Sequence, residues 1–384
     1  MNVPSQYDAI RPFEPEELPE VFDRLIGDVT FRQVAATVFP QVPFEALAAK
    51  MRGCATNLDF QKTFCYPFLK DLLAKASKGC DIDLSAIDIT KRYTFVSNHR
   101  DIVLDSALLD VLLIEEGFST TCEIAIGDNL LAAPWIKDLV RVNKSFIVER
   151  SASMREMLAS SKRMAEYMHF VIDEKNDYIW IAQREGRAKD SDDRTQPSVL
   201  KMMAMGGTGS ASDRLAALHI VPVAISYEYD PCDWLKAMEM QLKRDNPEWK
   251  KTKADDVRSM QTGIMGYKGR IHYQCAPCID NYLTSTAAAL PKGEFFDAVA
   301  AHIDKAIHQG YRLYPNNLIA AHLLTGEQQW AGTYTAEEKK SFETYLKQQI
   351  NRIEMPQKDI VFLQEKMLEM YANPAINHKK AVGE

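Results

Sequence analysis

The chain has 384 residues, of which 46% are hydrophobic and 26% are charged, and this composition is ordinary for a globular protein. Its net charge of −7 argues against a nucleic-acid-binding protein and against a strong electrostatic hold on anionic membrane. The polar, acidic N-terminus is unlike a signal peptide, and the longest apolar run, 107–114, is far too short to span a bilayer. We expect a cytoplasmic protein and leave open a peripheral contact with the inner face of the cell membrane.

Three regions with different periodicity follow one another along the chain. Apolar side chains recur at helical spacing in residues 1–88 and again in 289–384, whereas short β-rich runs alternate with helical patterns in 89–288. The predicted strands are 93–96, 122–126, 145–148, 178–182, 219–227 and 270–274. This alternation predicts an α/β fold, a mostly parallel sheet flanked by helices, with helical additions at both ends.

Polar and charged side chains follow three of the predicted strands. His99 comes after the first strand, Arg150 after the third and Glu185 to Arg187 after the fourth. Because active sites of such sheets gather at the carboxyl ends of the strands, we expect these segments to meet at one edge.

His99 is the candidate general base in the stretch Asn98-His99-Arg100-Asp101, with Asp105 further on. A neighbouring carboxylate can fix the imidazole tautomer and stabilise the imidazolium that forms when the ring takes a proton. Either Asp101 or Asp105 could act in this way. In a regular helix Asp105 would lie about 240° round from His99, so it needs a looser first turn to reach the ring.

The triplet His-Arg-Asp also occurs in the catalytic loop of protein kinases. A kinase needs an asparagine five residues after the Asp, where this chain has Ser106, and it needs a glycine-rich phosphate loop and a D-F-G motif, which the sequence lacks. We therefore set a kinase aside.

The segment 126–151 combines an apolar helix with nearby cations. Leucine, alanine, tryptophan and isoleucine recur over 130–139, with Lys137, Arg141 and Lys144 close by. The helix either packs in the core or offers an apolar face to acyl chains or a membrane surface. The strand that follows delivers the guanidinium of Arg150.

The fourth strand leads into Arg184-Glu185-Gly186-Arg187, with Lys189 next. Glycine lets the backbone approach a ligand closely, and arginine can bind phosphate through two hydrogen bonds. This segment is either a solvated charged loop or a binding site for an anionic group.

The seven cysteines are scattered, and Cys275 and Cys278 are the only close pair. A second pair and histidines at zinc-ligand spacing are missing around them. The sequence therefore predicts free thiols in a reducing compartment and no metal site.

Taken in order, these segments resemble the glycerol-3-phosphate and lysophospholipid acyltransferase superfamily over roughly residues 90–230. Its four motifs are an Asn-His followed by an Asp, a strand ending near an arginine, Glu-Gly-Thr-Arg, and an apolar strand containing proline. They are matched in this sequence by Asn98 with His99, Phe146 to Arg150, Glu185 to Arg187, and Val221-Pro222-Val223. Two spacings differ by one residue: five residues separate His99 from Asp105 where the family has four, and Arg187 comes one place early.

The resemblance implies an acyltransferase-like core over 89–288 and a direct transfer without an acyl-enzyme. His99, held by Asp105 or Asp101, takes the proton of an acceptor hydroxyl that attacks the thioester of acyl-CoA or acyl carrier protein. The implied substrate-binding residues are Asn98, Arg150, Glu185, Gly186, Arg187 and Lys189. Metals and redox cofactors are not needed, and the implied acceptor is glycerol 3-phosphate or a lysophospholipid.

Two alternatives remain at this point. One keeps the chemistry but uses a lyso-aminolipid, whose carboxylate would occupy the basic loop. The other is a lipid-binding protein of the same fold that has lost activity, given the two shifted spacings.

Overall fold

The computed structural model describes residues 3–150 and 153–383, and a seven-stranded sheet lies at its centre. The strands are β1 (Cys80–Asp83), β2 (Thr94–Ser97), β3 (Cys122–Gly127), β4 (Ser145–Val148), β5 (Tyr178–Ala182), β6 (Ile220–Tyr227) and β7 (Ile271–Cys275). They lie in the order β1-β7-β6-β2-β5-β3-β4.

Five neighbouring strands, from β6 across to β4, run parallel to one another. Strand β7 pairs with β6 in the antiparallel direction, and β1 pairs parallel to β7. The predicted α/β fold with a mostly parallel sheet is confirmed. All six predicted strands are present, and the reversed direction of the β7–β1 edge is an addition to the prediction.

Strand β1 lies in the region predicted to be helical. It has four residues, Cys80-Asp81-Ile82-Asp83, with acidic side chains at alternate positions and none of the four fully buried. Such a short, polar edge strand has no hydrophobic run to mark it in the sequence. The sheet therefore begins before the predicted boundary at residue 89.

The N-terminal helices form a layer of their own around a phenylalanine-rich cluster. Their bounds are α1 (Leu18–Gly27), α2 (Val29–Val38), α3 (Phe44–Arg52), α4 (Asn57–Phe60) and α5 (Tyr66–Ala76). Phe22, Phe60 and Phe64 are buried in this cluster, and α1 packs against the helix that precedes β4.

The helices between the strands cover both faces of the sheet. They are α6 (Leu104–Glu115), α7 (Pro134–Val142), α8 (Met154–Asp173), α9 (Pro197–Met203), α10 (Ala211–Ala216), α11 (Asp233–Asp245) and α12 (Lys253–Met265). Helices α5 and α6 share one apolar core with the sheet, and α8 and α9 share the other. The apolar runs of the strands are buried because both faces are covered.

The C-terminal helices are α13 (Phe295–Gln309), α14 (Pro315–Thr325), α15 (Ala336–Asn351) and α16 (Ile360–Val382). Helix α13 packs directly on the sheet through Val299, Ile303 and Ile307, so residues beyond 289 contribute to the central core. Helices α14 to α16 pack with α11 around a third apolar cluster.

Shorter turns of helix link these elements at Ser5–Tyr7, Pro15–Glu17, Gln61–Cys65, Asp128–Leu130, Tyr282–Thr286, Ala287–Ala289 and Gln328–Trp330. Within residues 3–150 and 153–383, none of the helices combines the length and the apolar character needed to cross a bilayer.

Candidate active site

The loops that follow β2 and β5 lie side by side, because these two parallel strands are neighbours in the sheet. The first loop carries His99 and the second carries Arg187. The long connection between β6 and β7, which contains α11 and α12, lies next to both. The structure thus brings two of the predicted segments together at the carboxyl edge of the sheet.

His99 contacts Asp105 directly, with 2.8 Å between Nδ1 of the ring and Oδ2 of the carboxylate. The contact is possible because the segment after β2 is not helical. Helix α6 begins only at Leu104, so Asp105 lies in its first turn and faces back toward His99. The segment between His99 and Asp105 thus has the non-helical conformation that a contact between these two residues requires.

The carboxylate of Asp105 also fixes the loop that carries His99. Its Oδ2 accepts the backbone N–H of Arg100 at 2.6 Å and that of Asp101 at 3.0 Å. Asp105 is fully buried, and the hydroxyl of Tyr273 donates to its carbonyl oxygen at 2.8 Å. With Nδ1 donating to the carboxylate, Nε2 is the nitrogen left for a substrate, and the His99 side chain is 13% exposed.

Asp101, the other predicted partner, forms its side-chain hydrogen bonds with the backbone that leads into α6. Its Oδ1 accepts the backbone N–H of Val103 at 2.9 Å and of Leu104 at 2.8 Å, so it holds the chain where α6 begins. A Cβ on Gly263 of α12 would lie 1.9 Å from its Oδ2, which shows how closely α12 approaches this loop. Burial, and next the charge of Asp105, raise the pKa of Asp101.

The side chain of Asn98, a predicted substrate-binding residue, bonds to the neighbouring strand β6. Strand β2 ends at Ser97 while β6 continues, and the Asn98 amide bonds to the backbone of Ile225 as a further peptide group would. Its Oδ1 accepts the Ile225 N–H at 2.7 Å, and its Nδ2 donates to the Ile225 carbonyl at 3.0 Å. Asn98 is fully buried, so it fixes the end of β2 that carries His99.

A buried ion pair that the sequence did not predict supports the same loop. Arg100 is bonded to Asp193 Oδ2 at 2.8 Å, and the hydroxyl of Tyr311 donates to the same oxygen at 2.6 Å. Asp193 is fully buried although it lies in a run of charged residues that reads as a solvated loop. Arg100 and Tyr311 are far from Asp193 in the sequence, so these interactions can be recognised only in the folded structure.

Arg187 and Lys189 line one narrow cleft together with three further cations and two carboxylates from the β6–β7 connection, namely Lys236, Lys251, Arg258, Glu239 and Asp255. Arg187 is buried, and its Nη1 lacks a hydrogen-bond partner within the described part of the chain. The cleft therefore concentrates positive charge around a guanidinium that still has a donor to offer.

The pKa of Lys189 reflects its burial among the positive charges of the cleft. Lys189 pairs with Glu239 at 2.9 Å, yet burial and the neighbouring charge of Arg187 lower its pKa to about 8. Lys236 is fully buried and is bonded to Asp230 at 2.5 Å. Burial raises the pKa of Asp230, but the charge and hydrogen bond of Lys236 together with the charge of Arg187 bring it below its ordinary value.

Arg150 and Glu185 lie apart from the cleft. They form an exposed ion pair of 2.9 Å at the rim, joining the loop after β4 to the loop after β5. Gly186 has a φ of +67°, which favours glycine, and it turns the chain from the exposed Glu185 to the buried Arg187. Of the two predicted arginines, Arg187 lies within the cationic cleft and Arg150 does not line it.

Comparison with known proteins gives one family over the region that contains these features. Residues 83–226 match the family model "Acyltransferase". No curated protein matches the chain. Among solved structures, the chain is similar to the crystal structure of the 1-acyl-sn-glycerophosphate (LPA) acyltransferase PlsC from Thermotoga maritima. The identity is 11%, the match covers 76% of this chain and 95% of that chain, and the TM-score is 0.38. The family match covers the part of the chain that contains all four predicted motifs, and it supports an acyltransferase domain over residues 83–226.

Proposed function

We propose that the protein transfers a fatty acyl group from an acyl-CoA or acyl carrier protein thioester to a hydroxyl of a phosphate-bearing acceptor, glycerol 3-phosphate or a lysophospholipid. One observation carries the proposal: His99 contacts Asp105 at 2.8 Å, and the carbonyl of Arg100 in the same loop accepts a hydrogen bond of 3.3 Å from Lys236, which lines the cleft with Arg187 and Lys189. A base for the hydroxyl and a cationic site for the head group are the two parts that this reaction needs.

In the proposed first step, Nε2 of His99 takes the proton of the acceptor hydroxyl. The oxygen attacks the carbonyl carbon of the thioester, and a tetrahedral intermediate forms. Asp105 accepts the hydrogen bond from Nδ1, which holds the tautomer with Nε2 unprotonated and stabilises the imidazolium. The Trp180 ring packs against His99, with 5.9 Å between the ring centroids and 66° between the ring planes, and limits the rotation of the imidazole.

In the second step, the intermediate collapses, the C–S bond breaks and the ester forms. The imidazolium returns its proton to the departing thiolate, so His99 ends the cycle neutral and the carrier leaves as a free thiol. The direct transfer requires neither a metal nor a redox cofactor, because the thioester supplies the activated acyl group.

Head-group binding is proposed for Arg187 and Lys189. The Nη1 donor of Arg187 has no other partner among the described residues, and a phosphate would satisfy it. Burial lowers the pKa of this guanidinium, but Cys232, Asp101 and Asp230 together raise it above its ordinary value. Burial and the charge of Arg187 lower the pKa of Lys189, and a dianionic phosphate would offset both effects.

The test is an acyl-transfer assay of the purified protein against a panel of acceptors, with the lipid products identified by mass. We expect product with a phosphate-bearing acceptor and none with the His99→Gln variant, while His322→Gln on α14 serves as the matched control. If product formed only with lyso-aminolipids, the acceptor would be a lyso-aminolipid and not a phosphate-bearing molecule. Lipid binding without any product would indicate the inactive alternative.

A second measurement tests the head-group assignment. Arg187→Gln removes a charged donor worth about 1.5–3 kcal/mol, so the KM for the acceptor should rise roughly 10- to 150-fold, while that for the thioester changes little. Arg150→Gln at the exposed rim should change either constant much less. A rise confined to the thioester KM would contradict the assignment.

A further inference from the structure

Three potential metal ligands converge at the end of the sheet opposite His99. His219 directly precedes β6, and Cys278 and Asp280 follow β7. One ligand atom from each lies within 4.8 Å of the others, and they are the one such group within residues 3–150 and 153–383. The sequence does not reveal the group, because His219 and Asp280 are 61 positions apart.

The backbone holds these residues together. The N–H of Ile279, between the two later ligands, donates to the carbonyl of Ile220 at 3.0 Å, and the N–H of Thr94 in β2 donates to the carbonyl of His219 at 3.2 Å. His219 has a φ of +47°, a left-handed conformation that side chains with a Cβ rarely adopt. This conformation directs the imidazole toward the later ligands.

The side chains already interact, but their bonding is incomplete. Nδ1 of His219 lies 2.6 Å from Oδ2 of Asp280. The other carboxylate oxygen, Oδ1, is buried and has no hydrogen-bond partner in the part of the chain that the structure describes. A cation would satisfy an oxygen that the protein leaves without a donor.

The ligand types select the metal. A thiolate is a soft ligand that calcium and magnesium avoid, whereas thiolate, imidazole and carboxylate together suit zinc. Cys278 as thiolate and Asp280 as carboxylate balance the charge of Zn²⁺ and leave the complex neutral. In a tetrahedral site the ligand atoms are roughly 3.3–3.8 Å apart, so a limited movement of side chains would complete the site.

We propose that His219, Cys278 and Asp280 bind one Zn²⁺, with water as the fourth ligand. The metal would join the amino end of β6 to the segment after β7, and the thiol proton would pass to solvent on binding. This places it at the far end of the sheet from His99, so it acts as a structural clamp and takes no part in acyl transfer. The inference does not depend on the proposed acceptor.

The test uses Co²⁺ as a spectroscopic probe on tag-free protein that has been stripped with a chelator. We expect one Co²⁺ per chain, a near-ultraviolet thiolate-to-cobalt charge-transfer band, visible bands of tetrahedral cobalt, and displacement by one equivalent of Zn²⁺. Zinc should also raise the Tm of the stripped protein.

Substitution of the proposed ligands distinguishes a specific metal site from adventitious binding of metal. Cys278→Ser should remove the charge-transfer band and weaken binding at least about tenfold, as should Asp280→Asn. His219→Asn removes the imidazole, and asparagine tolerates the left-handed backbone. Cys80→Ser, another half-buried free thiol, is the matched control and should bind Co²⁺ as the wild type does. Absence of stoichiometric binding, or identical spectra for Cys278→Ser and wild type, would overturn the proposal.

Discussion

The Asp105→Asn variant tests the proposed dyad most directly. The Asp105 Oδ2 accepts three hydrogen bonds, from His99 Nδ1 and from the backbone N–H groups of Arg100 and Asp101. The other oxygen is buried with no partner among residues 3–150 and 153–383. An asparagine would therefore keep its amide oxygen toward the three donors and place its NH₂ in the partnerless position. The tautomer of His99 would survive, but the negative charge beside the imidazolium would be lost.

The magnitude follows from these contacts. A hydrogen bond to a charged group contributes about 1.5–3 kcal/mol and a neutral one about 0.5–1.5 kcal/mol. Weakening the two backbone bonds should lower the free energy of unfolding by about 2 kcal/mol. Leaving the imidazolium without its carboxylate should raise the barrier by about 3–4 kcal/mol, which corresponds to a loss of roughly 10²–10³-fold in kcat.

The assay is thiol release under saturating substrates, with urea unfolding measured in parallel. Asp101→Asn is the matched control, because the Asp101 carboxylate bonds to the backbone N–H groups of Val103 and Leu104 at the start of α6 rather than to His99. We expect its kcat to stay within about tenfold of wild type. If Asp105→Asn retained nearly full kcat while Asp101→Asn lost it, the dyad would have to be reassigned.

Three further outcomes follow from the site. Gly263→Ala should lower the free energy of unfolding by about 1–3 kcal/mol in urea, because the new Cβ would lie 1.9 Å from Asp101 Oδ2. Gly27→Ala in α1, where a Cβ meets no described atom within 4 Å, should not destabilise, and equal effects would contradict the close approach. The kcat/KM for the acceptor should fall as the pH rises through about 8, where Lys189 loses its proton. The Lys189→Arg variant should keep its kcat/KM to higher pH. Asp193→Asn should cost about 3–5 kcal/mol of stability, since it leaves a buried arginine unpaired; a loss below 1 kcal/mol in urea would refute this.

The fold and part of the site were predictable because their signals are local. Apolar runs mark the strands from Thr94 onward, and the residues after them occupy the carboxyl edge of the sheet. The choice between Asp101 and Asp105 was not predictable, because it depends on where α6 begins after the loop. The direct contact with His99 is therefore a product of loop conformation and not of spacing alone.

Other features depend on contacts between distant segments, which one sequence does not reveal. Asn98 looks like a binding residue, but its amide completes the pairing of β2 with Ile225 of β6. The partners of Asp193 come from two other regions of the chain, and α12 covers Asp101 because Gly263 has no side chain. The direction of β7 depends on how the connection after β6 crosses the molecule.

The hydrogen bond from Tyr311 to Asp193 has a consequence for the order in which the nascent protein matures. These residues are 118 positions apart, so at about 5–20 residues per second the ribosome adds Tyr311 roughly 6 to 24 seconds after Asp193. During that interval the segment carrying His99 and Arg100 already exists, but the tyrosine hydroxyl that completes its buried ion pair does not. We expect the loop that carries His99 and Arg100 to become rigid only late in synthesis, after Tyr311 has been added.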